Sequence, residues 1–220
     1  MKISTAFLLL FAISSIHSIA QDSLTFLALG DSYTIGEKVK PAYRWPEQLV
    51  DSLRSRGIAI HDPQIIAKTG WRTDELAAAI DKVDPPTDFD LVGLLIGVNN
   101  QYQGKSSASY RPEFRALLRT AIRHAGGEPE NVFVVSIPDY GYTPFGAEKQ
   151  KSISEALDEY NEINKEEAFR LGVQYFHITD ISRSRDEDLV ASDELHPSGQ
   201  QYALWVKRIL SDPGFINKLK

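Results

Sequence analysis

The chain alternates short apolar segments with longer segments whose apolar residues recur at helical spacing. Short, nearly continuous apolar runs are typical of strands buried on both faces, and five such runs predict five strands. The predicted strands cover residues 24–29, 58–67, 91–96, 132–137 and 173–178, and the predicted helices cover residues 45–56, 73–83, 112–124, 148–171 and about 198–210. This alternation predicts an α/β fold in which a parallel sheet is covered by helices on both faces.

The N-terminal segment has the composition of a secretory signal peptide. Lys2 precedes an apolar stretch at residues 6–13, and Ser18 and Ala20 supply small residues at the expected cleavage point. A buried first helix or a membrane anchor is the alternative, but an anchor needs roughly 20 apolar residues. We therefore expect residues 1–20 to be removed, residues 21–220 to form a single domain, and the mature protein to be secreted or periplasmic.

Charge and composition exclude several classes of partner. The 30 acidic and 24 basic residues give a formal net charge of −6, whereas a nucleic-acid-binding surface needs an excess of basic residues. The absence of cysteine excludes disulfides, a thiolate nucleophile and cysteine-ligated metals. Dinucleotide-binding and Walker-type glycine motifs are also absent from the sequence. We therefore expect no nucleic acid, no nucleotide and no stable membrane insertion.

Irregular segments follow four of the five predicted strands. They cover residues 35–44, 99–111, 138–147 and 182–196. In open α/β sheets, ligands bind at the carboxyl ends of the strands, where such segments meet. The sequence therefore predicts a functional site at this edge of the sheet.

Ser32 is the candidate nucleophile at this edge. It follows the first strand in Gly30-Asp31-Ser32, where a sharp turn exposes the hydroxyl and frees the backbone N–H to bind an anion. Gly-Asp-Ser also occurs in ordinary turns, and a serine nucleophile needs a base and an orienting acid. Asp193 and His196, close together on the last irregular segment, supply both groups.

Gly70 and Asn99 are candidates for stabilising an oxyanion. Gly70 follows the second strand, and Asn99 follows the third strand directly. A glycine permits close approach of the backbone, and a side-chain amide donates hydrogen bonds to developing negative charge.

Taken in order, these segments resemble the four motif blocks of the SGNH hydrolases, also called the GDSL esterase/lipase superfamily. The blocks lie at residues 30–34, 70, 97–100 and 193–196, so the resemblance spans most of the chain. It implies a flavodoxin-like, three-layer α/β/α fold with a five-stranded parallel sheet. It also implies ester hydrolysis through an acyl-enzyme, without a metal or other cofactor.

Carried over to this sequence, the resemblance assigns a role to each candidate residue. Ser32 is the nucleophile, His196 the general base and acid, and Asp193 its orienting partner. The oxyanion lies among the Ser32 N–H, the Gly70 N–H and the Asn99 side chain. Two positions depart from the family pattern. Tyr33 replaces a leucine, and Asn100 replaces an aspartate, which raises the question of how that loop is braced.

Two other classes of function remain as alternatives. A metal-dependent hydrolase would draw on the oxygen and nitrogen ligands of Asp31, Asp88, Asp90, Asp193 and His196. Asp88 and Asp90 precede the third strand, so we expect them at the opposite edge of the sheet from Ser32. A non-catalytic carbohydrate-binding module would keep the fold without the triad, but here every triad position is filled.

The site segments are rich in aromatic residues and poor in aliphatic ones. Residues 101–107 and 139–143 contain no aliphatic side chain, whereas long acyl chains need an extended apolar surface. Trp45, at the start of a helix, is expected to serve packing rather than binding. The sequence therefore favours short-acyl or carbohydrate esters as substrate, with the longer acyl chains of a lysophospholipase or thioesterase as the alternative.

Overall fold

The structure, a computed structural model, describes residues 23–219, and the predicted signal peptide at residues 1–20 lies outside this range. The described residues form a parallel five-stranded sheet in the order β2-β1-β3-β4-β5. The strands are β1 (Phe26–Gly30), β2 (Gln64–Ala67), β3 (Leu91–Leu95), β4 (Val132–Val135) and β5 (Gln174–Phe176). This order is flavodoxin-like, and the chain reverses its direction of winding between β1 and β3. The predicted parallel sheet is confirmed.

Helices cover both faces of the sheet, which gives the predicted three-layer α/β/α fold. They are α1 (Ser32–Ile35), α2 (Trp45–Arg54), α3 (Thr73–Val83), α4 (Val98–Tyr102), α5 (Ser107–His124), α6 (Gln150–Arg170), α7 (Thr179–Ser182), α8 (Gly199–Ile209) and α9 (Pro213–Asn217). α2 packs against α8 on one face, and α5 packs against α3 and α6 on the other. None of the helices within residues 23–219 is long and apolar enough to cross a membrane.

A glycine in β3 lets aromatic rings pack closely over the centre of the sheet. A Cβ atom at Gly93 would lie 2.8 Å from Phe133 and 2.9 Å from Trp45. Trp45 meets Phe133 edge-on at a centroid distance of 6.0 Å. Phe215, which lies in α9, meets Phe133 at a centroid distance of 5.5 Å. Trp45 is fully buried, which confirms its predicted packing role.

α5 begins before Pro112, which the sequence predicted as the first residue of that helix. The Ser106 hydroxyl oxygen caps the helix by accepting a hydrogen bond from the Ser109 N–H at 3.2 Å. The ring of Tyr110 stacks on Tyr160 of α6, with centroids 4.2 Å apart. This packing and the cap stabilise the extra turn. Their contribution outweighs the cost of a proline inside the helix.

Candidate active site

Ser32 lies at the turn between β1 and α1, at the carboxyl edge of the sheet. Asp31 caps α1, since its Oδ1 accepts a hydrogen bond from the Tyr33 N–H at 3.0 Å. A Cβ atom at Gly30 would collide with Thr34 and with a backbone carbonyl of β3, so only glycine permits this tight turn. Within the described residues the Ser32 hydroxyl forms no hydrogen bond, and it lines a cleft above the sheet.

His196 lies in the same cleft and is hydrogen-bonded to Asp193. Its Nδ1 lies 2.6 Å from Asp193 Oδ2. The backbone N–H groups of Leu195 and His196 donate to Asp193 Oδ1 at 3.1 and 3.0 Å. Glu194, between Asp193 and His196, adopts a left-handed conformation with φ of 62°. This turn folds the Asp193 carboxylate back towards the His196 imidazole.

The hydrogen bonds around Asp193 determine which nitrogen of His196 can act as the base. Burial by itself raises the pKa of Asp193. The hydrogen bonds from the backbone of His196, its imidazole and the Leu195 N–H outweigh burial and leave the pKa below its ordinary value. An ionised carboxylate only accepts hydrogen bonds, so Nδ1 carries the proton and Nε2 is free to act as a base.

Three contacts hold the loop that carries His196. The Ala191 N–H donates to the His196 carbonyl at 2.7 Å, and the Phe145 N–H donates to the Glu194 carbonyl at 3.1 Å. The ring of Tyr33 meets the imidazole edge-on at a centroid distance of 5.9 Å. The Ala191 hydrogen bond closes the loop on itself, whereas the contacts of Phe145 and Tyr33 come from the segments after β4 and β1. Together they hold the imidazole at the wall of the cleft.

Gly70 and Asn99 lie in the cleft beside Ser32. Gly70 has a φ of +87°, a conformation that glycine adopts without strain. The Asn99 side-chain nitrogen donates to the Trp71 carbonyl at 3.0 Å, which ties the loop after β3 to the turn after β2. A primary amide has two donor hydrogens, so one remains for another acceptor. The structure therefore brings Ser32, Gly70, Asn99 and His196 to one cleft, and Asp193 is hydrogen-bonded to His196 at its wall.

Asn100 braces the loop that carries Asn99. It is buried, and its Oδ1 accepts from the Thr73 N–H at 3.1 Å. Its amide nitrogen donates to Thr73 Oγ1 at 2.7 Å and to Glu113 Oε2 at 3.3 Å. A carboxylate at this position would lack the two donor hydrogens and would face Glu113, so an asparagine suits this environment better than the aspartate usual in the family.

Asp31 has an environment that sequence reasoning missed. Its side chain is fully buried, and its Oδ2 has no hydrogen-bond partner among the described residues. Burial raises its pKa to about 7, although the N–H groups of Tyr33 and Asp31 itself lower it. A carboxyl beside the proposed nucleophile thus has a pKa near neutrality, and the only sequence signal was its place in the turn after the first predicted strand.

Only some of the aromatic residues on the site segments reach the cleft. The cleft has a volume of about 190 Å³, and its aromatic lining consists of Tyr33, Tyr102, Tyr140, Phe145 and the imidazole of His196. Tyr110, within the predicted irregular segment 99–111, is instead buried and stacks on Tyr160 of α6.

A model of the GDSL-like lipase/acylhydrolase family matches residues 28–204 of this chain. The chain belongs to this family. Its membership places it among ester hydrolases. Comparison with curated protein sequences finds no match.

Solved structures of lipolytic proteins and esterases share the fold at low sequence identity. A member of the lipolytic G-D-S-L family from Veillonella parvula is 18% identical, with a TM-score of 0.66 over 86% of this chain and 97% of the other. A lipase/acylhydrolase from Enterococcus faecalis is 19% identical, with a TM-score of 0.65 over 86% and 94%. An acetylxylan esterase from Geobacillus stearothermophilus is 16% identical, with a TM-score of 0.63 over 86% and 93%.

The five candidate metal ligands do not form one cluster in this GDSL-like hydrolase, because Asp193 and His196 lie together but Asp90 lies at the other edge of the sheet. Asp90 Oδ2 accepts from the Thr25 N–H at 2.8 Å, just before β1, whereas Ser32 follows the other end of that strand. The predicted separation of Asp90 from Ser32 is thus confirmed. Within residues 23–219, no group of three or more His, Asp or Glu side chains is placed to hold a metal ion.

Proposed function

We propose that this protein hydrolyses carboxylic esters through an acyl-enzyme formed on Ser32. The observation that carries the proposal is the 2.6 Å hydrogen bond between His196 Nδ1 and Asp193 Oδ2, beside a cleft into which the Ser32 hydroxyl opens. An oriented imidazole next to a serine hydroxyl is the arrangement needed for nucleophilic catalysis.

In the first half of the reaction, the Ser32 Oγ attacks the ester carbonyl carbon while His196 Nε2 takes the hydroxyl proton. The negative charge that develops on the carbonyl oxygen is stabilised by the Ser32 N–H, the Gly70 N–H and the Asn99 amide. The C–O bond to the alcohol then breaks, and the imidazolium returns its proton to the leaving oxygen.

In the second half, water takes the place of the alcohol. His196 Nε2 accepts a proton from this water, whose oxygen attacks the acyl carbon. The bond to Ser32 Oγ then breaks, and the proton passes from the imidazolium to that oxygen. The acid is released and the free serine is restored.

Organophosphonate labelling tests the nucleophile. Intact mass and peptide mapping should find one adduct, located on Ser32, whereas Ser32→Ala should give no adduct and no turnover while melting at the wild-type temperature. Ser211→Ala removes an exposed hydroxyl after α8 and serves as the matched control, with normal labelling and turnover. Loss of activity on addition of EDTA, without an adduct on Ser32, would instead support the metal-dependent alternative.

For the substrate, we propose short-acyl esters, including those of carbohydrates. Two features support this choice. The cleft volume of about 190 Å³ is small, since pockets for drug-sized ligands are typically about 300–1,000 Å³. The cleft lining also has few aliphatic side chains to contact a long acyl chain, namely those of Val98 and Leu195. The structural similarity to an acetylxylan esterase is in keeping with it.

A series of p-nitrophenyl esters tests acyl length. Acetyl and butyryl esters should give higher kcat/KM than lauroyl or palmitoyl esters, because the cleft offers little surface to bury further methylene groups. A kcat/KM that rises steadily with chain length would contradict the proposal and favour a lysophospholipase or thioesterase.

We also propose that the protein is secreted or periplasmic, after removal of residues 1–20. The composition of that segment supports this proposal. N-terminal sequencing of the protein recovered outside the cytoplasm should begin at Gln21. Recovery of the uncleaved chain from the cytoplasm would contradict it.

A further inference from the structure

A second groove continues from the catalytic cleft and shares part of its wall. It has a volume of about 390 Å³, and we call it the aromatic groove after the residues that define it: Gln101, Tyr102, Tyr140, Phe145, Glu148 and Lys149. Its three aromatic residues also line the catalytic cleft. A ligand that leaves the cleft past these rings therefore enters the aromatic groove.

The three aromatic side chains form a partly exposed platform. Their ring centroids are 6.2 to 6.3 Å apart. Tyr140 is buried, and its hydroxyl donates to Gln101 Oε1 at 2.9 Å, which fixes that ring. Tyr102 and Phe145 are 60% and 52% exposed. The ring planes are inclined to one another by 40° to 68°. Separate exposed rings of this kind suit a ligand with several apolar faces better than they suit an acyl chain, which needs enclosure.

Polar groups beside the platform are free to bind hydroxyl groups. In the part of the chain that the structure describes, neither Glu148 nor Lys149 forms a salt bridge, and the Gln101 amide nitrogen has no hydrogen-bond partner. Apolar ring faces next to unpaired donors and acceptors match a sugar ring, which has C–H faces and a hydroxylated edge.

The position of Phe145 indicates which part of an ester would lie in the aromatic groove. Its N–H donates to the Glu194 carbonyl at 3.1 Å, so the platform begins beside the loop that carries His196. The leaving alcohol must face the imidazole that protonates it. The groove therefore extends the alcohol side of the site. Thr69 and Gly70 line the cleft from the segment after β2, which the strand order separates from the segment after β4, so the acyl group is left on their side.

We propose that the aromatic groove binds a sugar ring in the alcohol part of the ester, with Tyr102 and Phe145 as the stacking surface. This inference rests on the proposed ester hydrolysis at Ser32. It assigns the alcohol specificity of the enzyme to side chains outside the triad and the oxyanion site.

The test compares two acetyl esters that differ only in their alcohol part. For Tyr102→Ala and for Phe145→Ala, kcat/KM on a soluble acetylated xylo-oligosaccharide should fall at least tenfold relative to kcat/KM on p-nitrophenyl acetate, chiefly through KM. Phe169→Ala removes an 87% exposed phenylalanine on α6 and should leave this ratio unchanged. In titration calorimetry, the unacetylated xylo-oligosaccharide should bind the two groove variants at least tenfold more weakly than the wild type.

The outcomes separate this inference from the proposed function. If no ester is turned over and Ser32 takes no phosphonate, the proposed function itself fails. If Ser32 is labelled but both groove variants keep the wild-type ratio and the wild-type affinity, the function stands and the sugar subsite is refuted. A change in acyl-length preference with an unchanged ratio would also overturn the inference, because it would place the acyl chain in the aromatic groove.

Discussion

The side-chain amide of Asn100 lies 3.3 Å from the carboxylate of Glu113, which ties the loop after β3 to α5. Thr73 completes this network, because its hydroxyl is hydrogen-bonded to both side chains. The network holds the residue next to Asn99 and thereby couples the proposed oxyanion site to the helical layer behind it.

Asn100→Asp should destabilise the protein in a pH-dependent manner. The new carboxylate loses two donor hydrogens and faces Glu113, at a cost of about 1–3 kcal/mol in the free energy of unfolding at pH 8. Burial and the neighbouring carboxylate raise its folded-state pKa, so the deficit should shrink as the pH falls and the group is protonated. Urea unfolding at pH 5 and pH 8 measures this. Asn217→Asp, on the exposed end of α9, is the control. A deficit that is equal at both pH values would contradict the proposed bracing role.

Asn99→Ala should lower kcat by about a hundred- to a thousandfold, with little change in KM. One donor to the developing oxyanion is removed, and this donor acts mainly in the transition state. Steady-state kinetics on p-nitrophenyl acetate measures the effect. Gln103→Ala, which removes an amide directed at Arg72, is the control on the same loop. A raised KM with unchanged kcat would make Asn99 a ground-state contact only.

Asp193→Asn should lower kcat on the order of ten-thousandfold, because an amide at this position favours the wrong tautomer of His196. The substitution alters the 2.6 Å hydrogen bond from His196 Nδ1 to the Asp193 carboxylate. Asp188→Asn changes an exposed carboxylate on the same segment and should retain wild-type kcat. A loss of less than tenfold for Asp193→Asn would show that another group orients the imidazole.

Asp31→Asn should remove a decline in stability that the wild type shows towards alkaline pH. Burial raises the pKa of Asp31 from 3.8 to about 7, so the folded state retains a proton that the unfolded state loses. Stability of the wild type therefore falls as the pH rises from about 4 to beyond 7, by roughly 2–4 kcal/mol relative to the variant. Unfolding free energies at pH 4, 6 and 8 test this, with Asp81→Asn on the exposed face of α3 as control. Parallel pH profiles for wild type and Asp31→Asn would refute the prediction.

Features that depend on short stretches of backbone could be predicted from the sequence alone. The apolar runs predicted all five strands, because a strand buried on both faces needs apolar side chains throughout. The pairing of Asp193 with His196 was predictable because a single turn brings residues this close in the chain together. The chain itself carries Ser32 to the edge of the sheet at the end of β1.

Other features were decided only by the tertiary structure, because they join segments that are distant in the chain. Asn100 meets Thr73 and Glu113 only once the sheet order places the loops after β2 and β3 side by side. The aromatic groove likewise combines side chains from the segments after β3 and β4. The raised pKa of Asp31 follows from burial that no local pattern specifies. A local sequence pattern reflects the conformation and burial of its own segment. These contacts depend instead on which distant segments the sheet places side by side.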